Sequence, residues 1–218
     1  MIITWQGQSC FKIQDKVGSE GITLVTDPFD KSLGLKVPNF EADIVTVSHD
    51  HYDHNNVAAF RGTPKVIKSA GEYDIKGVMI EGVLSYHDAS QGKERGNNII
   101  YRIEMDDITI CHLGDLGHVL DNKQLERLEG IDILLVPVGG KYTLDAKLAV
   151  EVISQIEPRI VIPMHYNRKG LDQNIYKELA GVEDFISQIG EKDVQPEDKL
   201  TITKSQMPEE TQMVVLNG

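Results

Sequence analysis

The chain has 218 residues, of which 40% are hydrophobic and 26% charged, and 34 acidic against 22 basic side chains give a net charge of -12. This composition excludes a disordered chain, and the acidic excess disfavours a dedicated nucleic-acid binder, which needs Lys and Arg to neutralise phosphates. No apolar run approaches the ~20 residues that cross a bilayer, and the first residues carry no basic leader, so we expect a cytoplasmic protein without a membrane partner. Cys10 and Cys111 lie in apolar runs and are predicted to be buried, reduced thiols.

Strand patterns dominate the first third of the chain and continue towards its end. Short β-branched or alternating runs, broken by turn residues, are typical of strands. The predicted strands cover residues 2–5, 11–14, 22–26, 44–47, 65–68, 78–86, 99–104, 108–111, 133–136, 160–162, 200–203 and 213–216.

Helical patterns are fewer and lie mainly in the second half. They cover residues 56–60, 123–128, 146–156 and 176–189, with Gly62, Gly130 and Gly190 as C-terminal stops. The pattern is lost between residues 27 and 38, which predicts a long loop. Because strands come first and later alternate with helices, we predict a mixed layered α/β fold, with residues 1–218 as a single domain.

One short segment carries the strongest functional signal. Directly after the strand predicted at 44–47, residues 48–54 read Ser-His-Asp-His-Tyr-Asp-His and hold three of the seven histidines. In an extended segment residues two apart point the same way, so His49 and His51 can chelate one ion while Asp53 and His54 turn towards a second. Imidazoles with one carboxylate suit zinc, manganese or iron better than calcium or magnesium. The alternative, a solvated polar loop, is disfavoured by the rarity of the pattern.

Further ligand candidates follow the ends of other predicted strands. His87, Asp115 and His165 each come just after such an end. Loops that leave the strands of a rigid scaffold often present chemistry, so we expect these side chains to converge on one edge of the sheets. His112 and His118 are interpreted instead as caps or surface groups.

Six ordered segments resemble the motifs of the metallo-β-lactamase-fold hydrolases. The resemblance runs from about residue 1 to 170 and is strongest to the L-ascorbate-6-phosphate lactonase-like branch of that superfamily. The segments that carry it are residues 5–11, 26–28, 49–54, 86–88, 112–115 and 163–166.

This resemblance implies an αββα sandwich with a binuclear metal site at the sheet edge. It implies zinc or manganese as the two divalent ions, with iron as an alternative. The first ion would be bound by His49, His51 and His87, the second by Asp53, His54 and His165, with Asp115 bridging both. Asp27 matches an aspartate that supports the site through hydrogen bonds.

Two positions depart from the relatives of this fold. The flavodiiron redox branch carries Glu where His51 stands, which favours hydrolysis over redox chemistry. The lactonase-like branch often has His where this chain has Gln8, which we place near the site edge. No insertion is large enough for the accessory domains or tRNA-gripping arms of the nucleic-acid-cleaving members.

The expected activity follows from the metals. Two cations about 3.5 to 4 Å apart lower the pKa of a bound water from about 15.7 towards ~7 and so supply a hydroxide at neutral pH. Asp53 is predicted to orient that water and to carry its proton to the leaving group. We therefore expect a hydrolase of a small ester, lactone or phosphorylated metabolite. Three alternatives stay open: a phosphodiesterase or nuclease of the same fold, a metal-binding protein without catalysis, and a redox diiron protein.

Three cations are candidates for substrate binding. Lys93 and Arg95 follow His87, and Lys141 follows the strand predicted at 133–136. Each can bind a substrate phosphate through charge-assisted hydrogen bonds, although solvated surface cations explain them equally well. The acidic surface does not fix an oligomeric state, so a homo-oligomer stays open.

Overall fold

Thirteen strands build the two sheets of the computed structural model, which describes residues 1–218. In chain order the strands are β1 (Ile2–Gly7), β2 (Cys10–Val17), β3 (Glu20–Thr26), β4 (Ile44–Thr46), β5 (Lys65–Ile67), β6 (Gly71–Ile75), β7 (Val78–Tyr86), β8 (Asn97–Met105), β9 (Ile108–His112), β10 (Ile133–Pro137), β11 (Ile160–Met164), β12 (Leu200–Thr201) and β13 (Gln212–Met213).

Each sheet combines an antiparallel part with a parallel part. In the first, with strand order β12-β1-β2-β3-β4-β5, an antiparallel meander continues through parallel β3-β4 and β4-β5 pairs. In the second, with order β13-β11-β10-β9-β8-β7-β6, antiparallel hairpins run from β6 to β9, and β9, β10, β11 and β13 are parallel. The carboxyl ends of the parallel strands therefore meet at one edge of each sheet.

The core lies mainly between the two sheets. A cluster of 43 buried residues joins side chains of both, from Phe11 and Leu24 on the first sheet to Ile100 and Ile110 on the second. Successive side chains of a strand point to opposite faces. Val25, next to Leu24, accordingly belongs to a second cluster of 11 residues on the outer face of the first sheet.

Four α-helices and three 3-10 turns complete the fold. Asp145 begins the longest helix because its side chain accepts a hydrogen bond from the Leu148 N–H at 2.8 Å. Gly190, at φ 87°, ends the last helix as the sequence predicts. None of the helices combines the length and the apolar character that a membrane span requires. The α-helices are α1 (Asn122–Arg127), α2 (Ala146–Ile156), α3 (Gln173–Tyr176) and α4 (Val182–Ile189), and the 3-10 turns are Lys31–Leu33, Val57–Ala59 and Lys204–Gln206.

The fold class is the predicted α/β sandwich, and most predicted elements are present. Both cysteines are buried and unpaired. The loop predicted from residue 27 onwards has no strand and only the turn Lys31–Leu33. The two predicted tail strands exist but are shorter, as β12 and β13.

Two predicted helices are wrong, and one strand was not predicted. The helix predicted at 56–60 is only the 3-10 turn Val57–Ala59, because so few residues cannot offset the cost of nucleating an α-helix. The helix predicted at 176–189 is divided into α3 and α4. The reason is that Ala180 donates its N–H to the Gly139 carbonyl and accepts from the N–H of Asn167, so its backbone pairs outside any helix. β6 has no predicted counterpart, because this edge strand lacks apolar alternation and none of its residues is fully buried.

Candidate metal centre

The predicted ligand candidates come from loops that follow strands of both sheets. The segment with His49, His51, Asp53 and His54 follows β4, while His87 and Asp115 follow β7 and β9, and His165 follows β11. The two sheets pack with these strand ends at a common edge, where the side chains meet within a few ångströms. The convergence expected from their positions after strand ends is therefore found.

Asp115 lies at the centre of this group. Its Oδ2 is 3.2 Å from the Nε2 atoms of His54, His87 and His165, and 3.9 Å from Nε2 of His49. One carboxylate oxygen has too few lone pairs to accept hydrogen bonds from all of these imidazoles. The buried Nε2 of His54 indeed has no hydrogen-bond partner. A positively charged ion shared by these atoms would satisfy them, so the donor set fits divalent metal.

The position of Asp115 is fixed by its neighbours in the chain and by Asn98. The Asp115 N–H donates to Oδ1 of Asn98 at 2.9 Å, and the hydroxyl of Ser9 donates to Asp115 Oδ1 at 3.4 Å. Gly114 adopts φ 55°, and a Cβ there would collide with Asn98 and Ser48. A glycine is therefore required directly before the central carboxylate.

Two groups of donor atoms contain only predicted ligands, and a third, made of Asp27, His49 and His54, overlaps both. His49, His51 and His87 make one group, and Asp53, His54 and His165 make the other, and the ligand atoms in each lie within 4.8 Å of one another. In the first group, Nε2 of His49 is 2.9 Å from Nδ1 of His51. These are the two ligand sets that the resemblance implies. Their assignment to two ions stays a proposal.

Asp27 orients the imidazoles rather than facing the centre. Its Oδ2 is 2.9 Å from Nδ1 of His54, which directs the Nε2 of that ring towards Asp115. Both the N–H and the hydroxyl of Ser48 donate to the Asp27 carboxylate, at 2.7 and 2.5 Å, and that hydroxyl also lies 2.9 Å from Nδ1 of His49. Such outer carboxylates set the tautomer and the orientation of metal-binding histidines.

The electrostatics of the centre favour a bound cation. Burial lowers the pKa of His49 far below its usual value, and the neighbouring His54 lowers it further. Burial would also lower the pKa of His54, but Asp115 and Asp53 outweigh it, so this pKa lies well above its usual value. Burial would raise the pKa of Asp115, but His165 and His54 hold it well below its usual range. Asp115 is therefore an anion surrounded by imidazoles.

A cavity of about 280 Å³ opens onto the centre. Three tyrosines and one isoleucine form its less polar walls, and one arginine adds a cation. It is lined by His51, Tyr52, Asp53, His87, Arg95, Asp115, Tyr142, His165, Ile175 and Tyr176. A larger depression of about 590 Å³, beside α4, contains none of the grouped metal-ligating side chains.

Only one of the three predicted substrate-binding cations lines this cavity. The Arg95 guanidinium lies 4.9 Å from the ring centre of Tyr142, and it forms no salt bridge. Lys141 forms an ion pair with Glu178, which raises the pKa of Lys141, and it does not line the cavity. Lys93 is exposed and also lies outside the lining.

The structure adds residues whose roles the sequence did not predict. Tyr176 donates its hydroxyl to Asp53 Oδ2 at 3.3 Å, although the sequence offered only a predicted helix there. Gln8 lies inside the centre rather than at its edge, with Nε2 2.7 Å from Nε2 of His165. Asp88 accepts backbone hydrogen bonds from residues 90, 92, 94 and 95 and so shapes the loop that ends at Arg95. In the sequence, Asp88 was marked only as a member of segment 86–88, one of the segments that carry the resemblance.

The two histidines interpreted as caps or surface groups lie outside the ligand groups, and His112 is fully buried rather than on the surface. Nε2 of His112 is 2.8 Å from the Ser9 carbonyl oxygen, and its Nδ1 accepts from the Gly114 N–H. His118 accepts from the N–H of Tyr86 through Nε2. Tyr166 is buried against Trp5, with 4.9 Å between the ring centres, and belongs to the core.

Comparisons with known proteins point to one superfamily. The family described as "Beta-lactamase superfamily domain" matches residues 2–165, a range that contains every member of the two ligand groups. A UPF0173 metal-dependent hydrolase of Thermoplasma acidophilum is 31% identical over 82% of this chain and 90% of its own length. Another, from Thermococcus onnurineus, is 31% identical over 82% of this chain and 92% of its own length.

Solved structures agree with this. A Thermotoga maritima protein, classed among the Zn-dependent hydrolases of the metallo-β-lactamase superfamily, is 37% identical, with a TM-score of 0.77 over 99% of this chain and 97% of its own. A metallo hydrolase of Ignicoccus hospitalis has a TM-score of 0.67 over 91% of this chain and 97% of its own. Its 20% identity shows a shared fold alone.

Proposed function

The chain belongs to the metallo-β-lactamase superfamily and, within it, to the UPF0173 metal-dependent hydrolases, and from this membership we propose a hydrolase with two divalent ions that acts on a small ester, lactone or phosphorylated metabolite. The observation that carries the proposal is the position of Asp115 Oδ2, which is 3.2 Å from His87 of one ligand group and from His54 and His165 of the other. A carboxylate between two groups of ligands is the arrangement that a pair of metal ions requires.

The residues of the centre have distinct roles in this proposal. His49, His51 and His87 would hold one ion, Asp53, His54 and His165 would hold the other, and the Asp115 carboxylate would be shared between the two groups. When bound, two such ions supply an activated water and polarise the carbonyl or phosphoryl oxygen of the substrate.

Asp53 is the proposed proton carrier. Its carboxylate lines the cavity, and its Oδ2 accepts the Tyr176 hydroxyl at 3.3 Å, which fixes the orientation of the carboxylate. Burial and the nearby Asp53 charge raise the pKa of Tyr176, so this phenol stays protonated and donates. Asp53 can then accept a proton from the attacking water and pass it to the leaving group.

Zinc or manganese is the proposed metal. Neutral imidazoles and carboxylates suit both ions, and iron remains an alternative of the same chemistry. The Thermotoga maritima relative is classed as Zn-dependent, which supports zinc.

The proposed substrate is a small anionic lactone or ester, as in the L-ascorbate-6-phosphate lactonase-like branch. Two features support this finer assignment. The cavity of about 280 Å³ is slightly smaller than most ligand pockets, which span about 300 to 1,000 Å³. Arg95 is its one cationic side chain and has no carboxylate partner. Such a cavity suits a single sugar-sized molecule that carries a phosphate or carboxylate.

We further propose that residues 1–218 form one hydrolase domain without a nucleic-acid or membrane partner. The main core supports this, because it extends from Met1 to Leu216. The net charge of -12 and the single cation of the cavity count against a nuclease. The two intact ligand groups count against a protein that binds metal without catalysis.

The test is a hydrolysis assay on zinc-loaded, manganese-loaded and chelator-stripped protein. One substrate is a phosphorylated sugar lactone, and the other is a phosphodiester. We expect metal-dependent opening of the lactone and no cleavage of the phosphodiester. The opposite result would assign the chain to the phosphodiesterases, and equal turnover by stripped and loaded protein would overturn the metal-dependent mechanism.

A matched pair of histidine variants provides the control. His87→Asn removes an imidazole that faces Asp115 and should abolish turnover. His118→Asn changes a histidine outside the ligand groups, whose hydrogen bonds go only to backbone atoms of Tyr86 and Val119, so turnover should be kept.

A further inference from the structure

Gln8 is buried in the metal centre, in a turn that holds it against His165. The turn joins β1 to β2, and Gln8 adopts the left-handed φ of 52° there. Its carbonyl oxygen accepts the Trp5 indole N–H at 2.9 Å and the His165 N–H at 3.1 Å. Its side chain is enclosed, with 1% of the residue exposed. The backbone therefore presents the Gln8 amide to the centre in one fixed direction.

The distances from the Gln8 amide nitrogen to its neighbours are similar to the distances between the donor atoms of the centre. Its Nε2 lies 2.7 Å from Nε2 of His165 and 3.2 Å from Oδ2 of Asp53. For comparison, His165 and Asp115 approach each other to 3.2 Å. Both atoms that Gln8 contacts belong to the ligand group of the second ion.

The other amide atom, Oε1, is buried without a hydrogen-bond partner. An unpaired buried acceptor in a native protein calls for an explanation such as a bound ion. A half-turn of the terminal amide exchanges its oxygen and nitrogen, whose shapes are nearly identical. When a cation binds the lone pairs of His165 and Asp53, an NH₂ group beside them loses both of its hydrogen-bond acceptors. An amide oxygen in the same place can instead bind the cation as a further ligand.

We propose that Gln8 is a ligand of the second metal ion and donates its amide oxygen beside Asp53 and His165. This inference rests on the two-ion site proposed above. With Gln8 the second position has three oxygen donors and two imidazoles, whereas the first has three imidazoles and the shared carboxylate oxygen. Oxygen donors suit manganese and imidazoles suit zinc. The two positions are therefore unequal, and the second is the better site for manganese.

The test is a titration of chelator-stripped protein with Mn²⁺, in which electron paramagnetic resonance measures the free ion. This readout needs no substrate. Gln8→Asn keeps an amide that tolerates the left-handed backbone but shortens its reach, and Gln8→Glu keeps the reach and replaces the amide with a carboxylate. Gln14→Ala is the matched control, because Gln14 lies on β2 and its amide contacts only Thr23. Thermal unfolding of each stripped variant verifies that it is folded.

We expect the unchanged protein and Gln14→Ala to bind two Mn²⁺ per chain. In Gln8→Asn the tighter Mn²⁺-binding step should lose about 10- to 100-fold in affinity while the weaker step is kept, and Gln8→Glu should restore or exceed the original affinity. Unchanged binding by Gln8→Asn, or an equal loss at both steps, would overturn the role of Gln8. Binding of a single ion by the unchanged protein would overturn the two-ion site itself, a result that is distinct from either of these.

Discussion

Oδ2 of Asp27 lies 2.9 Å from Nδ1 of His54, and both residues have no exposed surface. The carboxylate also accepts two hydrogen bonds from Ser48, so its position is fixed from the opposite side. Asp27 thus connects the end of β3 to the segment that follows β4. Through this contact Asp27, which does not itself face the centre, determines that His54 presents its Nε2 to the centre.

Asp27→Ala should weaken metal binding. Without its partner the His54 ring can rotate and change tautomer, and the loss of such an outer carboxylate typically lowers metal affinity by about 10- to 100-fold. Competition with a chromophoric chelator measures the affinity of each ion. Asp30→Asn is the control, because Asp30 only caps the turn Lys31–Leu33 and should bind metal as the unchanged protein does. Equal affinities in all three proteins would contradict the orienting role of Asp27.

Arg95 should determine the affinity for the anionic group of the substrate. A charge-assisted hydrogen bond contributes about 1.5 to 3 kcal/mol, so Arg95→Ala should raise KM for a phosphorylated lactone by about 10- to 100-fold with little change in kcat. Lys93→Ala removes a neighbouring cation that lies outside the cavity and should leave KM unchanged. Steady-state kinetics on the phosphorylated lactone and on its uncharged counterpart measure the difference. An equal rise in KM for both substrates would show that Arg95 acts on the protein and not on the anion.

Asp88 should act through Arg95 by holding the loop between them. Burial alone would raise the pKa of the Asp88 carboxylate. Hydrogen bonds from backbone N–H groups, first of all that of Arg95, outweigh burial and hold the pKa below its usual value. Asp88→Asn keeps one acceptor oxygen and so loses the acceptor for one pair of these groups, residues 90 and 92 or residues 94 and 95. Amide exchange of that pair should become at least about tenfold faster. KM should rise as in Arg95→Ala, and the variant that combines both substitutions should have the same KM as Arg95→Ala alone. Additive effects on KM in the double variant would show that Asp88 does not act through Arg95.

The same contact predicts how the loop responds to acid. Because the folded pKa of Asp88 lies below the unfolded value, the contribution of Asp88 is complete above the unfolded pKa of about 3.9 and is lost as the pH falls through the folded pKa. Amide exchange at residues 94 and 95 should therefore become faster, relative to the sheets, only below about pH 4. In Asp88→Asn this added pH dependence should be absent.

Sequence patterns predicted the sheets and the ligand candidates because both depend on local features. Alternation of apolar residues is a property of each strand, and a polar residue just after a strand end is visible in the chain itself. The edge strand β6 was missed because an exposed edge requires no apolar alternation. The division between α3 and α4 was missed because it depends on pairing of Ala180 with Gly139, 41 residues earlier in the chain.

Contacts between distant segments limited the prediction of the site in the same way. Gln8 is 157 residues from His165 and 45 from Asp53, and Tyr176 is 123 residues from Asp53. No periodicity relates such positions. The three substrate-binding candidates were indistinguishable in the sequence, because only packing shows that Lys141 is paired with Glu178 while Arg95 lines the cavity.

His112 should make the stability of the metal-free protein depend on pH without binding metal. Burial lowers its pKa below the usual 6.5, so the folded protein keeps it neutral, with Nδ1 accepting from Gly114 and Nε2 facing the Ser9 carbonyl. The unfolded chain takes up a proton below that pH and the folded chain does not. The contribution of His112 is therefore complete above about pH 6.5 and is lost as the pH falls towards the folded pKa.

His112→Phe removes both the titration and the two hydrogen bonds of this side chain. At pH 7.5 the variant should be about 1 to 3 kcal/mol less stable, because the Gly114 N–H and the Ser9 carbonyl lose their buried partner. The difference should become smaller as the pH falls below about 6.5, since only the unchanged protein loses the His112 contribution. Urea unfolding of stripped protein at several pH values measures both quantities. A difference that stays constant with pH would show that His112 is not held neutral in the fold.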